Sequence, residues 1–154
     1  MARPEQGGSR CSIARSLEVL GEKWTLLVVR EAFWGRTRFS EFREALGVAP
    51  DVLADRLSTL VEIGVLERRP YRVDGGRQRD EYVLTPAGVD LRLVLGALNA
   101  WGDNHRPSPS GPASTFVEVE TGEPVSLSFV AADGRALSTA EVASVRLRDG
   151  AMTR

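Results

Sequence analysis

The densest concentration of reactive side chains lies between Glu67 and Tyr82, in the stretch ERRPYRVDGGRQRDEY. Arg68, Arg69, Arg72, Arg77 and Arg79 surround a Gly75-Gly76 tip, and Asp74 is the one acid between Arg68 and Arg79. A guanidinium carries a permanent charge on a planar fork that bridges phosphate oxygens or enters a narrow minor groove. The cluster therefore suits nucleic acid. A formal charge of -1 for the whole chain does not argue against this, because phosphates meet one face of a protein rather than its sum. The alternative is a solvated face in which the arginines pair with Glu67, Asp80 and Glu81.

Other reactive groups are sparse. Cys11 is the single cysteine and His105 the single histidine, so neither an internal disulfide nor a Cys/His zinc site is expected. Cys11 sits before a helical segment with Arg10 and Arg15 nearby, an environment that favours the reactive thiolate, which makes it a candidate redox sensor. A small residue packed at a subunit seam is the alternative. With no resolving cysteine, sensing would proceed through an adduct or an intermolecular disulfide. No Gly-x-Ser-x-Gly, Gly-rich phosphate loop or His pair is present, so neither an enzyme nor a bound cofactor or metal is expected.

The chain has 154 residues, 42% of them hydrophobic, enough for one modest core and a small appendage. Its longest apolar run, Trp24 to Val29, is far short of the roughly 20 residues of a membrane span. No secretory core precedes it, and a soluble cytoplasmic protein is expected.

The elements that must carry the arginines follow from periodicity. Ile13, Leu17 and Leu20 predict a helix from Ser12 to Leu20, and KWTLLVVREAFWG predicts a central helix that is apolar nearly all round and ends at Gly35. Ser40 is the expected cap of a short helix that closes at Gly47. Pro50 opens a longer amphipathic helix that ends at Gly64, with Leu53, Leu57 and Leu60 on one face. Short helix, tight turn and longer helix make a helix-turn-helix. Strands are predicted over Val65 to Val73 and Asp80 to Leu84, with Pro70 confining the first to an edge or a bulge. Thr85 caps a final helix whose Leu91, Val94, Leu98 and Trp101 form a stripe, and Leu93, Leu95 and Ala97 add more apolar surface than one small core can cover. HRPSPSGPAST reads as a linker, and FVEVE, VSLSFVA and VASVRLR read as the strands of a small β module.

In this order, CSIARSLEVLGEKWTLLVVREAFWGRTRFSEFREALGVAPDVLADRLSTLVEIGVLERRPY and YVLTPAG resemble the HxlR family of bacterial winged-helix transcription regulators. The resemblance covers Cys11 to about Trp101. It is carried by Gly21, Lys23 and Trp24, by Arg38-Phe39, by Leu53, Arg56-Leu57 and Gly64, and by Leu84, Thr85, Pro86 and Gly88. It implies an α+β fold, a winged helix-turn-helix domain with N- and C-terminal dimerisation helices, here followed by the small β module. The expected organisation is a flexible N-terminus (1–10), the DNA-binding and dimerisation domain (11–104), a linker (105–114) and the β-rich extension (115–150).

The resemblance further implies a homodimeric DNA-binding regulator, a repressor by expectation, acting on an inverted repeat in double-stranded DNA and answering to a small molecule or an oxidant. The candidate DNA contacts are Lys23, Arg38 and Ser40, the recognition-helix residues Pro50, Asp51, Ala54, Asp55, Arg56 and Thr59, and Arg72, Arg77 and Arg79 of the wing. Asp51 or Asp55 could accept from a cytosine amino group or simply favour the helix dipole. Arg56 could meet phosphate or pair with Asp55 or Glu62. Ile13, Leu17, Leu91, Val94, Leu98 and Trp101 are the candidate dimer interface. Trp24, Phe33, Trp34 and Trp101 could line a ligand cavity, but at their spacing core is the stronger expectation. One departure is visible at Ala49, where relatives often have Ser or Thr, so the recognition helix lacks a side-chain cap. Paired cysteines seen in the tails of some relatives are also missing. A protein-interaction winged helix, or a ligand-binding sensor without specific DNA binding, is the competing reading.

Overall fold

The computed structural model describes residues 10–148 and 151–153, together with the side chains of 10–145. The expected flexible segment 1–10 therefore lies outside the described residues except for Arg10. The chain forms two compact units, Met1–Leu95 and Gly96–Arg154.

In the first unit, helix α1 (Ser12–Leu20) follows the expected bounds and buries none of its side chains. Helix α2 (Lys23–Phe33) places Val28 and Val29 at the centre of the core. It ends at Trp34, and Gly35 turns the chain with φ 86. Helix α3 (Phe39–Leu46) closes at Gly47, whose φ of 60 suits a residue without Cβ. Helix α4 (Pro50–Glu62) follows after a three-residue turn and buries Leu53, Leu57 and Leu60 against Val28, Val29 and Phe42. Each fully buried aliphatic side chain contributes about 1.5–3 kcal/mol, so this leucine row fixes which face of α4 looks outward.

The cap of α3 corrects the expectation for Ser40. The helix begins one residue earlier, at Phe39, because that ring packs on the core, and Ser40 lies inside the first turn with its side chain exposed. Glu41 does the capping instead. Its Oε2 accepts the amides of Thr37 and Arg38, both at 2.9 Å. Ala49, at the start of α4, makes no side-chain cap bond, and Pro50 occupies the first turn.

The end of α4 is a Schellman turn: the Gly64 amide donates to Val61 O at 3.0 Å and the Val65 amide to Leu60 O at 2.9 Å. It throws the chain directly into strand β1 (Leu66–Tyr71), which pairs antiparallel with β2 (Arg79–Leu84) from Leu66 opposite Leu84 to Tyr71 opposite Arg79. β1 stops two residues short of the expected Val73, because a turn closed by the Gly76 amide on Val73 O at 2.7 Å takes over there. Pro70 stands on the open edge, as a residue without an N–H should. The other edge of β2 is covered by Thr37 and Arg38: the Tyr82 amide donates to Thr37 O at 2.7 Å, and Arg38 bridges Glu81.

Helix α5 (Pro86–His105) starts in the first unit, where Leu91 and Leu95 pack on the core. Thr85 anchors it, donating its hydroxyl to Gly64 O at 2.5 Å and accepting the Gly88 amide at 3.1 Å. Gly88 is required by close approach, since a Cβ there would lie 2.2 Å from Val65 O.

The division between units falls inside α5 rather than at the Pro/Ser-rich stretch, so the later turns of the helix belong with the tail. Gly96 is buried, and a Cβ there would meet Leu127 at 2.6 Å; Ser114 donates to Asn99 at 3.3 Å. Beyond the helix come β3 (Phe129–Val130) paired with β4 (Ala136–Leu137), a 3-10 turn at Thr139–Glu141, and β5 (Arg146–Arg148) paired with β6 (Ala151–Thr153). FVEVE is not the expected strand. It reverses at Glu118–Gly122, where the Gly122 amide donates to Glu118 O at 2.8 Å, which leaves one bridge, Val117 to Pro124. Among the described residues no helix is long and apolar enough to cross a membrane.

Candidate nucleic-acid interface

The leucine row of α4 turns Pro50, Asp51, Ala54 and Asp55 to solvent, as expected for a surface that reads a groove. Arg56 and Thr59 are not exposed in the same way. Both are half-buried because they flank the leucines; Arg56 pairs with Asp55, and the Thr59 hydroxyl turns back onto Asp55 O at 3.0 Å. The exposed face of α4 therefore carries carboxylates, Asp51, Asp55 and Glu62, and no unpaired cation.

Positive charge is concentrated on the hairpin. Arg68, Arg69, Arg72, Arg77 and Arg79 are all exposed. Arg69 pairs with Glu67 on its own strand, its Nε 2.7 Å from Oε1, and Arg72 donates to the neutral amide of Gln78 at 3.3 Å. Among the described residues no ion pair joins Arg68, Arg72, Arg77 or Arg79 to Asp80 or Glu81. Pairing thus accounts for one arginine of the cluster; with Asp74 as the one acid at the tip, Arg72, Arg77 and Arg79 form no ion pair among the described residues.

The segment joining α2 to α3 is more structured than its sequence suggests. Glu31 is buried and bonds Arg30 at 2.6 Å and Arg36 at 3.1 Å. The amides of Thr37 and then Arg38 hold the Glu41 carboxyl below its ordinary range, with the Arg38 and Arg36 charges acting the same way. The Arg38 guanidinium lies 4.6 Å from the centre of the Tyr71 ring, within cation–π reach. Glu31, Glu41 and Tyr71 were not candidates from sequence. The Arg38-x-x-Glu41 spacing is that of a capping box, and only the unusual first residue hides it.

Lys23, exposed at the start of α2, lies over the ring of its neighbour Trp24 at 4.7 Å. Cys11 is exposed at the N-terminal end of α1, where its carbonyl accepts the Arg15 amide at 3.1 Å. In the first unit Ile13 and Leu17 are 72% and 59% exposed and Val94 is exposed, whereas Leu91 is partly buried and packs on the core. In the second unit Leu98 and Trp101 are exposed. Trp24 and Phe33 are half-buried on the core, while Trp34 is exposed with Arg30 over its ring, so Trp34 and Trp101 are not the core residues expected. Among the described residues no group of three or more His, Cys, Asp or Glu is arranged to hold a metal ion.

Residues 19–109 match the family described as HxlR-like helix-turn-helix. An uncharacterised HTH-type transcriptional regulator of Mycobacterium tuberculosis is 46% identical over 101 residues, 66% of this chain. That stretch is 63% of the relative, so the chain spans less than two thirds of its length. The crystal structure of PA1607, a candidate transcription factor, superposes with a TM-score of 0.76 at 40% identity over 90% of this chain and 96% of its own. A second candidate transcription factor, PA1374 from Pseudomonas aeruginosa, gives 0.64 at 41% identity over 92% of this chain and 95% of its own. Both likenesses run past residue 109 into the tail. With this matched span, the helix-turn-helix and the two-stranded wing, the chain belongs to the HxlR-like helix-turn-helix family.

Proposed function

We propose that the protein is a sequence-specific DNA-binding transcription regulator of the bacterial cytoplasm, acting as a homodimer on an inverted repeat and repressing transcription. The observation that carries this reading is the exposed Arg72, Arg77 and Arg79, in no ion pair among the described residues, on a hairpin directly after a helix-turn-helix. The division of labour follows from charge. An acidic α4 face gains little from phosphates and reads base edges, where a carboxylate accepts from the cytosine amino group. The wing supplies the affinity through backbone or minor-groove contacts. The two subunits set the half-site spacing at about one or two helical turns. Covering Ile13 and Leu17 of α1 with a second copy removes an apolar face that the single chain leaves in water. An adduct on the exposed Cys11 would act beside that face.

The acidic face of α4 favours a second reading, a winged helix that docks a protein partner. Selection of duplexes from a random-sequence library by the native protein separates the two. Enrichment of an inverted repeat supports the regulator, and enrichment of none supports the protein-docking module.

A further inference from the structure

The short segment from Arg36 to Arg38 is gripped by carboxylates from two sides. Glu31, with a side chain only 3% exposed, holds the Arg36 Nε at 3.1 Å, and Glu41 accepts the next two amides at 2.9 Å each. The segment in turn holds the wing at two points. Thr37 O takes the Tyr82 amide of β2 at 2.7 Å, and the Arg38 guanidinium covers the ring of Tyr71, the last residue of β1.

A two-stranded hairpin is marginal by itself, and its tip would sample many angles to α4. A third strand segment on the inner edge and a cation–π contact at the base of the tip remove that freedom before any ligand arrives. We infer that Arg36–Arg38 is a positioning clamp: it sets the angle of the wing to the recognition helix, so that Arg72, Arg77 and Arg79 reach DNA in register with α4. Arg38 acts through Tyr71 in this role and is not a phosphate contact. The inference rests on the DNA-binding reading proposed above.

Its test is a mutant cycle on a duplex selected by the native protein from a random-sequence library, with thermal unfolding checked for each variant. Tyr71→Leu removes the ring face, Tyr71→Phe keeps it, and Arg38→Ala, at an exposed position, repeats the test from the other side. Tyr71→Leu and Arg38→Ala are expected to weaken binding about three- to tenfold by lowering the fraction of wings in the competent orientation. Tyr71→Phe binds as the native protein does, and the dependence of log K on log salt keeps its slope. In a background where Arg72, Arg77 and Arg79 are already alanine, neither change has a further effect, because the clamp acts only through those arginines. A loss that persists in that background, native affinity in Tyr71→Leu, or a slope reduced by about one in Arg38→Ala overturns the clamp and leaves the DNA-binding reading standing. Failure of the native protein to select any duplex overturns both.

Discussion

The Thr85 hydroxyl donates to the Gly64 carbonyl at 2.5 Å across the joint between the end of α4 and the start of α5. The same oxygen caps α5 by accepting the Gly88 amide, so one side chain fixes the end of one helix and the start of another. Thr85→Val keeps the shape and removes both bonds. It is expected to cost about 1–3 kcal/mol in urea unfolding, whereas Thr85→Ser, which keeps the hydroxyl, retains most of the native stability. An unchanged midpoint in Thr85→Val would show that the joint is held by packing alone.

Glu41 gives stability a pH dependence of known sign. Its folded pKa lies below the ordinary 4.5, first through the Thr37 amide and then the Arg38 amide. A depressed carboxylate contributes stability that is fully present above its unfolded pKa and is lost as pH falls through the folded value. Glu41→Gln should therefore be less stable than the native protein at neutral pH, by about 0.3–1 kcal/mol. The gap should close on acidification below about pH 4. Urea titrations of the pair at both pH values check this, and a gap that stays constant contradicts it.

Ala49 leaves the first turn of α4 without a side-chain acceptor. Ala49→Ser supplies one at a position whose ψ of 140 already suits a cap. A gain of about 0.5–2 kcal/mol in unfolding free energy is expected. A loss instead would mean that the serine cannot reach the amides of the first turn.

The proposed dimer places α1 at the interface. Leu17→Glu puts a charge on a face that the single chain does not cover, so the folded core is spared and association is not. Light scattering on a sizing column should show the mass halve while the helical circular dichroism is kept. Unchanged mass would move the interface elsewhere.

How much of this was legible depends on the kind of signal. The helix bounds of α1 and α4, and the inward row of Leu53, Leu57 and Leu60, follow from apolar spacing that tertiary packing then honours. The arginine tip and the Thr85 cap were equally plain. Ser40 misled because residue preference says who can cap, whereas the core contact of Phe39 decides where the helix begins. Leu91 shared a stripe with Val94 and Leu98, but a stripe does not say which side meets the chain's own core. Arg56 and Thr59 lie at the shoulder of the leucine face, where a wheel cannot separate half-buried from exposed. Tyr71 acts through Arg38, far away in sequence, and Glu31 acts by being buried between Arg30 and Arg36, which charge spacing alone does not record.

The measurement that tests the central claim most directly is the salt dependence of binding to a selected duplex, for the native protein and for Arg72, Arg77 and Arg79 changed together to alanine. Each phosphate neutralised contributes about 0.9 to the slope of log K against log salt. The account predicts tight binding by the native protein and, in the variant, weaker binding with a slope shallower by up to about 3. Equal affinity and equal slope in the two proteins would show that the hairpin does not touch DNA, and the functional reading would fall.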